Sequence, residues 1–94
     1  MSHQPRRAKH FSGSAPDATT TPGGTKYDLN ALGFRLLVSN LDDANTMELS
    51  LDNGRNWYPI AFGEEFKENV HVHFFRVRGA AGAAVSFSAI AFVG

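Results

Sequence analysis

Hydrophobic and polar positions alternate with a period of two in Thr46-Met-Glu-Leu-Ser-Leu51, which predicts a half-buried strand with Met47, Leu49 and Leu51 on one face and Thr46, Glu48 and Ser50 on the other. The same period runs through Val70-His-Val-His-Phe-Phe-Arg-Val-Arg78, where Val70, Val72 and Phe74 share one face and His71, His73, Phe75 and Val77 the other. The adjacent Phe74 and Phe75 break the alternation, so a bulge or a strand apolar on both sides is expected there. Phe34-Arg-Leu-Leu-Val-Ser39 and Ala84-Val-Ser-Phe-Ser-Ala-Ile-Ala-Phe-Val93 read as two further strands, the last one predicting a buried C-terminal end. Between them lie turn residues: Asn40-Leu-Asp-Asp-Ala-Asn45, Asp52-Asn-Gly54, Gly63-Glu-Glu65 and Gly79-Ala-Ala-Gly82.

Asp52-Asn-Gly54 tolerates positive φ and leads straight into Asn56-Trp-Tyr-Pro-Ile-Ala-Phe62, so strands on either side of it are expected to form a hairpin. Pro59 cannot donate to a ladder, which puts the second arm of that hairpin at a sheet edge or a bulge. Phe66-Lys-Glu-Asn69 reads as a short strand or a loop. The sole helical candidate, Tyr27 to Leu32, is too short to nucleate without tertiary help. Five to seven short strands at this spacing predict an all-β fold, a small antiparallel β-sandwich or barrel of jelly-roll or immunoglobulin-like character.

Composition changes the picture at Tyr27. Residues 1–26 contain no Leu, Ile or Val and are rich in Gly, Pro, Ser, Thr and Ala, so they are expected to form a flexible, extended N-terminal arm, with residues 27–94 as the β domain. The arm carries Arg6, Arg7, Lys9 and Lys26 against Asp17, a net charge of +3, whereas the remainder carries −3, with zero overall. A basic arm on an acidic body fits a neighbouring copy, an acidic partner or simple solvation. The body has no basic stacking surface of the kind nucleic-acid readers present, so nucleic acid is not expected as a partner.

A domain of this size has a core that supplies only about 3–5 kcal/mol, and the absence of cysteine removes disulfides as support. Homo-oligomerisation is therefore the expected source of additional stability. No apolar run approaches the roughly 18 residues of a membrane span, and Met1 to Gly13 lacks the apolar centre of a secretory signal, so neither membrane insertion nor Sec export is expected.

The chemistry-bearing residues are few. His71 and His73 stand two apart on one strand face, a spacing that brings two imidazoles toward one ion, but zinc requires a third and usually a fourth ligand. His3 and His10 lie in the arm. Ordinary alternation on a solvent-facing strand accounts for the pair, so no metal and no cofactor are assigned. Glu64, Glu65 and Glu68 lack the spacing of a calcium loop, and there is no P-loop, no Gly-x-Ser-x-Gly and no cysteine nucleophile. The expectation is a non-enzymatic protein without catalytic residues. Trp57 and Tyr58 are adjacent, so on a strand they point to opposite faces and one of them is left for a partner or a sugar ring.

The stretch Leu49-Ser-Leu-Asp-Asn-Gly-Arg-Asn-Trp-Tyr-Pro-Ile60, followed by Phe74-Phe-Arg-Val-Arg-Gly-Ala-Ala-Gly82, resembles small virion proteins of tailed bacteriophages. The resemblance spans Phe34 to Val93 and excludes the arm. It implies a small β-sandwich that decorates or cements a capsid, with a head–tail junction or tail component as the alternative, assembled in the host cytoplasm and resident in the virion. Its partners would then be the major capsid protein or neck and tail subunits. A carbohydrate-binding or adhesin module is the alternative from another class. On this reading Arg6, Arg7 and Lys9 make electrostatic contacts with neighbours, Phe11 is the arm's apolar anchor, and Trp57 and Tyr58 complete the partner-binding set.

Overall fold

The computed structural model describes residues 7–80 and 82–94. Its described residues are all-β: strands β1 (Arg7–Ala15), β2 (Thr25–Asn40), β3 (Met47–Ser50), β4 (Tyr58–Ile60), β5 (Glu65–Gly79) and β6 (Val85–Val93), with no helix among them. They form one antiparallel sheet in the order β1-β6-β2-β5-β3-β4. The fold class expected from the alternating pattern, a small antiparallel sandwich or barrel, is the one observed.

Two strands are longer than the pattern predicts. The stretch from Tyr27 to Leu32, the short helical candidate, is extended and continuous with the strand at 34–39, so both belong to the 16-residue β2. Likewise 66–69 and 70–78 merge into the 15-residue β5. Each of these strands runs through both layers of the fold. The first part of β2 pairs with the last part of β5 (Thr25 with Val77, Asp28 with Phe74), and the last part of β2 with the first part of β5 (Arg35 with Asn69, Ser39 with Glu65).

The surplus backbone at the bend lies on β2, while on β5 the inward positions switch from Val70 and Val72 to Phe75 and Val77 across Phe74. Two residues of β5, from Phe74 to Val72, span the β2 stretch from Asp28 to Gly33, so the surplus backbone bulges out of β2. Asn30 takes a positive φ of 54° there, and its N–H is held by the Asp28 carboxylate at 2.8 Å. Gly33 sits at the centre of the crossing, paired with both Val72 and Val93. A Cβ on it would lie 2.5 Å from Leu29 Cδ1 and 3.2 Å from the Val72 carbonyl oxygen, so only glycine lets β5, β2 and β6 converge at this point. The inward positions of β2 change from Tyr27, Leu29 and Gly33 to Leu36, Val38 and Asn40 across the second register shift, between Gly33 and Arg35, where β2 carries one residue more than β6 and the pleat inverts.

The sheet closes on itself around an aromatic cluster. Phe11 on β1 meets Tyr27 on β2 and Phe75 on β5 edge to face, each with ring centroids 5.5 Å apart, and Tyr27 meets Phe87 on β6 at 5.5 Å. Strands β1 and β5 are three places apart in the sheet, about 14 Å if it were flat, so the contact between Phe11 and Phe75 requires the layers to face each other. Leu29, Leu36, Val38, Met47, Val77, Val85, Ala91 and Val93 fill the remainder of the interior, and all are fully buried.

The arm expected to be flexible contributes to this core. Arg7–Ala15 pairs with β6 along its whole length, from Arg7 with Val93 to Ala15 with Val85, and Ala15 is buried. Its composition is poor in aliphatics, but a backbone ladder plus one aromatic, Phe11, is enough to dock a strand on an existing edge. Residues 17–24 continue as a turn held by Asp17. That carboxylate accepts from the Thr19 N–H at 2.9 Å, the Thr19 hydroxyl at 2.8 Å and the Gly82 N–H at 3.0 Å, which holds its pKa below the usual carboxylate value.

Truncating Phe75 removes the ring that Phe11 and Tyr27 both pack against, and the closed sheet leaves little room for collapse. Phe75→Ala is expected to cost about 3–5 kcal/mol, read as a lowered midpoint in urea unfolding.

Candidate functional site: an aromatic cleft at the β3–β4 turn

The turn between β3 and β4 is longer than a two-residue hairpin and is built around Asp52. Asn53 and Gly54 take positive φ values of 62° and 90°, as the Asp-Asn-Gly sequence predicts. Asp52 Oδ1 accepts from the Ser50 hydroxyl at 2.9 Å and the Asn56 N–H at 2.8 Å, while Oδ2 accepts from Asn56 Nδ2 at 2.6 Å. These bonds, led by those from Asn56, hold the Asp52 carboxyl down to about 2. Ser50, expected on the solvent face of β3, is instead fully buried, because its hydroxyl also accepts from the Gly54 N–H at 2.8 Å and so closes the turn from inside.

Two arginines of β5 fasten this turn to the rest of the molecule. Arg76 Nε donates to Asn53 Oδ1 at 2.9 Å, and its Nη1 to the Gly23 carbonyl at 3.2 Å. Arg78 Nε donates to Glu48 Oε1 at 2.7 Å, its Nη1 to the Pro22 carbonyl at 2.6 Å, and its guanidinium lies 3.9 Å from the centroid of the Trp57 ring. The indole N–H of Trp57 donates to the Gly54 carbonyl at 3.1 Å. The ring is thus fixed on one side by a cation and at its edge by the turn.

Trp57 lies in the turn with its ring on Arg78, on the outward side of β5, whereas Tyr58 opens β4 level with the buried Leu49 and leans on Phe66, so the two rings take opposite sides of the edge hairpin. Both line one solvent-open cleft of about 300 Å³ with Leu49, Leu51, Asp52 and Asn56. Tyr58 remains 56% exposed and leans edge to face on Phe66, with centroids 5.4 Å apart. Strand β4 is an edge, as Pro59 requires.

The remaining candidates are scattered. Arg7 is exposed and Lys9 half-buried on β1, Phe11 packs within its own chain, and Arg6 lies outside the described residues. Sequence reasoning passed over Arg76, Arg78 and Asn40. Asn40 is 2% exposed and joins three segments: its Nδ2 donates to the carbonyls of Asn45 and Ile60, each at 2.9 Å, and its Oδ1 accepts from the Asp42 N–H at 2.9 Å. Nothing in its local sequence distinguishes it from an ordinary turn residue. The alternation in Phe75-Arg-Val-Arg78 was a usable signal for the arginines, since it puts both on one face beside the turn.

No protein-family model and no curated protein matches the sequence. Among solved structures, the chain is similar to HppE in its Fe(II) form (TM-score 0.59, 9% identity) and to Fe(II)-HppE with the alternative substrate (S)-1-HPP (TM-score 0.57, 11% identity). Each match covers 90% of this chain and 43% or 42% of the other, so this chain spans less than half of HppE's length. RmlC from Streptococcus suis, in complex with dTDP-D-xylose, also matches, at 11% identity over 90% of this chain and 43% of that one, but with a TM-score of 0.47 it carries no weight. At such identities the likeness shows the fold alone.

This finding corrects the functional expectation. The hairpin chemistry suggested a non-enzymatic virion component, a capsid decoration or cement protein or a neck or tail part, and the exposed aromatics suggested, as an alternative of another class, a carbohydrate-binding or adhesin module. The architecture that chemistry specifies is shared with enzymes, so it supports neither the virion assignment nor the exclusion of catalysis.

HppE's Fe(II) raises the question of a metal. His71 and His73 do share a face of β5, but both are exposed, and the described residues contain no group of three or more His, Cys, Asp and Glu able to hold an ion. The space between the layers is packed with Phe75, Phe87, Leu36 and Val77. The described residues do not fit an iron centre.

The acid response of the site follows from Asp52. Its folded pKa is depressed from 3.8 to about 2, so its contribution to the turn is complete above about pH 4 and is lost as the pH falls toward 2. Emission from Trp57, the one tryptophan, is expected to stay constant down to about pH 4 and shift below it, and Asp52→Asn should remove most of that shift.

Proposed function

We propose that this chain is a small-molecule-binding domain of cupin-like fold whose ligand seat is the Trp57 cleft, and that its ligand has a flat apolar body with a neutral or cationic polar end. The lining carries the reading. Leu49, Leu51, Trp57 and Tyr58 offer an apolar and aromatic wall in a cleft of about 300 Å³, the size of a small ligand's seat, and Asp52 is the sole charged residue among those lining it. With its carboxyl held down to about 2, Asp52 is an anion at neutral pH and disfavours a carboxylate or phosphate in the cleft. Arg78 does not reverse that sign, because it is committed to Glu48, the Pro22 carbonyl and the back of the indole ring.

The wall is prepared before any ligand arrives. Trp57 is pinned by Arg78 and Gly54, so ordering it costs little on binding, while the exposed Tyr58 is free to close over a guest. A fold neighbour that takes a small-molecule substrate, HppE, supports the general reading without supplying the ligand. Asp52 cannot donate a proton at neutral pH; what the lining does is attract, stack and orient.

Phenethylamine and 3-phenylpropionate share an aromatic body and differ in the sign of the end group. The amine is expected to change Trp57 emission saturably and to bind about tenfold more tightly than the acid, and Tyr58→Ala should weaken it by a similar factor. Equal affinity for both, or no response to either, would overturn the proposal.

A further inference from the structure

One layer of the fold, β1-β6-β2 with the first half of β5, ends in two edges of unlike charge, and from their register we infer that copies of this chain associate edge to edge, β1 of one against the first half of β5 of the next. Among the described residues β1 pairs with β6 alone, and β5 from Glu65 to Val72 pairs with β2 alone, since β3 joins β5 only at Arg76–Gly79. Both edges therefore leave backbone groups without ladder partners. The strands between them alternate in direction, so a copy displaced across the sheet brings its β1 antiparallel to β5 and continues the ladder.

The rows of the sheet fix what would meet. Lys9 stands level with Ala91, Leu36 and Glu68; Phe11 with Ala89, Val38 and Phe66; Ser12 with Ser88, Ser39 and Glu65. In a copy displaced without slip, Lys9 falls beside Glu68 of the neighbour, Phe11 beside Phe66, and Ser12 beside Glu65. Residues of one row share a face of the pleat, so the cation and the carboxylate lie on the same side of the extended sheet. Neither Lys9 nor Glu68 has a hydrogen-bonding or ionic partner among the described residues, where the only ion pair joins Arg78 to Glu48. Glu64, Glu65 and Glu68 outnumber Lys67 and leave the β5 edge net acidic, while Arg7 and Lys9 make the β1 edge basic; Lys67 falls level with His10 of the neighbour. Pairing of β1 with a second β1 gains nothing from this arrangement. The occupant of each edge is thus the opposite edge of another copy, and repetition gives a ring or an open stack according to the sheet's twist.

The inference does not rest on the proposed ligand, although Tyr58 of the cleft leans on Phe66 of the β5 edge. Its test is sedimentation velocity of the full chain over a roughly hundredfold range of concentration, with Lys9→Glu, Glu68→Lys and their equimolar mixture. Wild type is expected to grow in mass with concentration. Each reversal should weaken association about fivefold, and mixing the two variants should restore it, because each then offers the edge that the other lacks. Melting temperatures close to wild type will show that both variants fold. A monomer at every concentration, an assembly indifferent to the reversals, or one weakened by only one of them would overturn the inference.

Discussion

The antiparallel pairing of β2 with β5 is the constraint from which the remainder of the structure follows. A sheet with one apolar face must bury it, and among the described residues no second sheet or helix supplies a cover. The two long strands solve the problem by running through both layers, bent where the Asp28–Gly33 stretch of β2 bulges against Val72–Phe74 of β5. Strands β6 and β1 extend one layer from the second half of β2, and β3 and β4 extend the other from the second half of β5. The facing rings of Phe11, Tyr27, Phe75 and Phe87 then become each other's environment. Gly33 makes the bend possible and the aromatic cluster makes it favourable.

Because β5 passes through both layers, it also places the polar groups that shape the cleft. Arg76 and Arg78 project beside the β3–β4 turn and the 17–24 turn together, so two surface loops from distant parts of the chain share the same two guanidinium groups. A short aliphatic core is supplemented here by directional contacts whose charged members are partly solvated, and their value lies more in fixing geometry than in net stability. Asn40 does the equivalent at the far end of β2, where its side-chain amide ties the 41–45 loop to β4. Arg76 and Arg78 each satisfy one backbone carbonyl of the 17–24 turn, and Asn40 satisfies two, from Asn45 and Ile60.

The functional contrast with the fold neighbours rests on the same packing. The described residues supply no set of ligands for HppE's kind of metal, and the interior is occupied by hydrocarbon rings and branched side chains. The exposed aromatic chemistry lies outside the core, on an edge hairpin, where a ligand can reach Trp57 and Tyr58 without disturbing the layers. Tyr58 of the cleft leans on Phe66 of the β5 edge, so the cleft and that edge adjoin.

Period-two alternation settled the strand class, the all-β fold, the inward placement of Met47 and Leu49, and the positive-φ turn at Asn53-Gly54, because each depends on a few consecutive residues and on local sterics. Pro59 likewise announced an edge, through the donor it lacks. The joining of 25–32 to 34–39, and of 66–69 to 70–78, was decided by tertiary pairing, since each long strand finds a different partner on either side of the bend. The same holds for Arg7–Ala15, whose own composition cannot order it but whose backbone completes the ladder of β6. Trp57 and Tyr58 were visible as candidates, yet the placing of their rings depended on Arg78 and Phe66 of β5, which tertiary pairing brings to the hairpin. Local chemistry names the strands and turns of this chain; which of them meet is set by long-range packing that no short window of sequence contains.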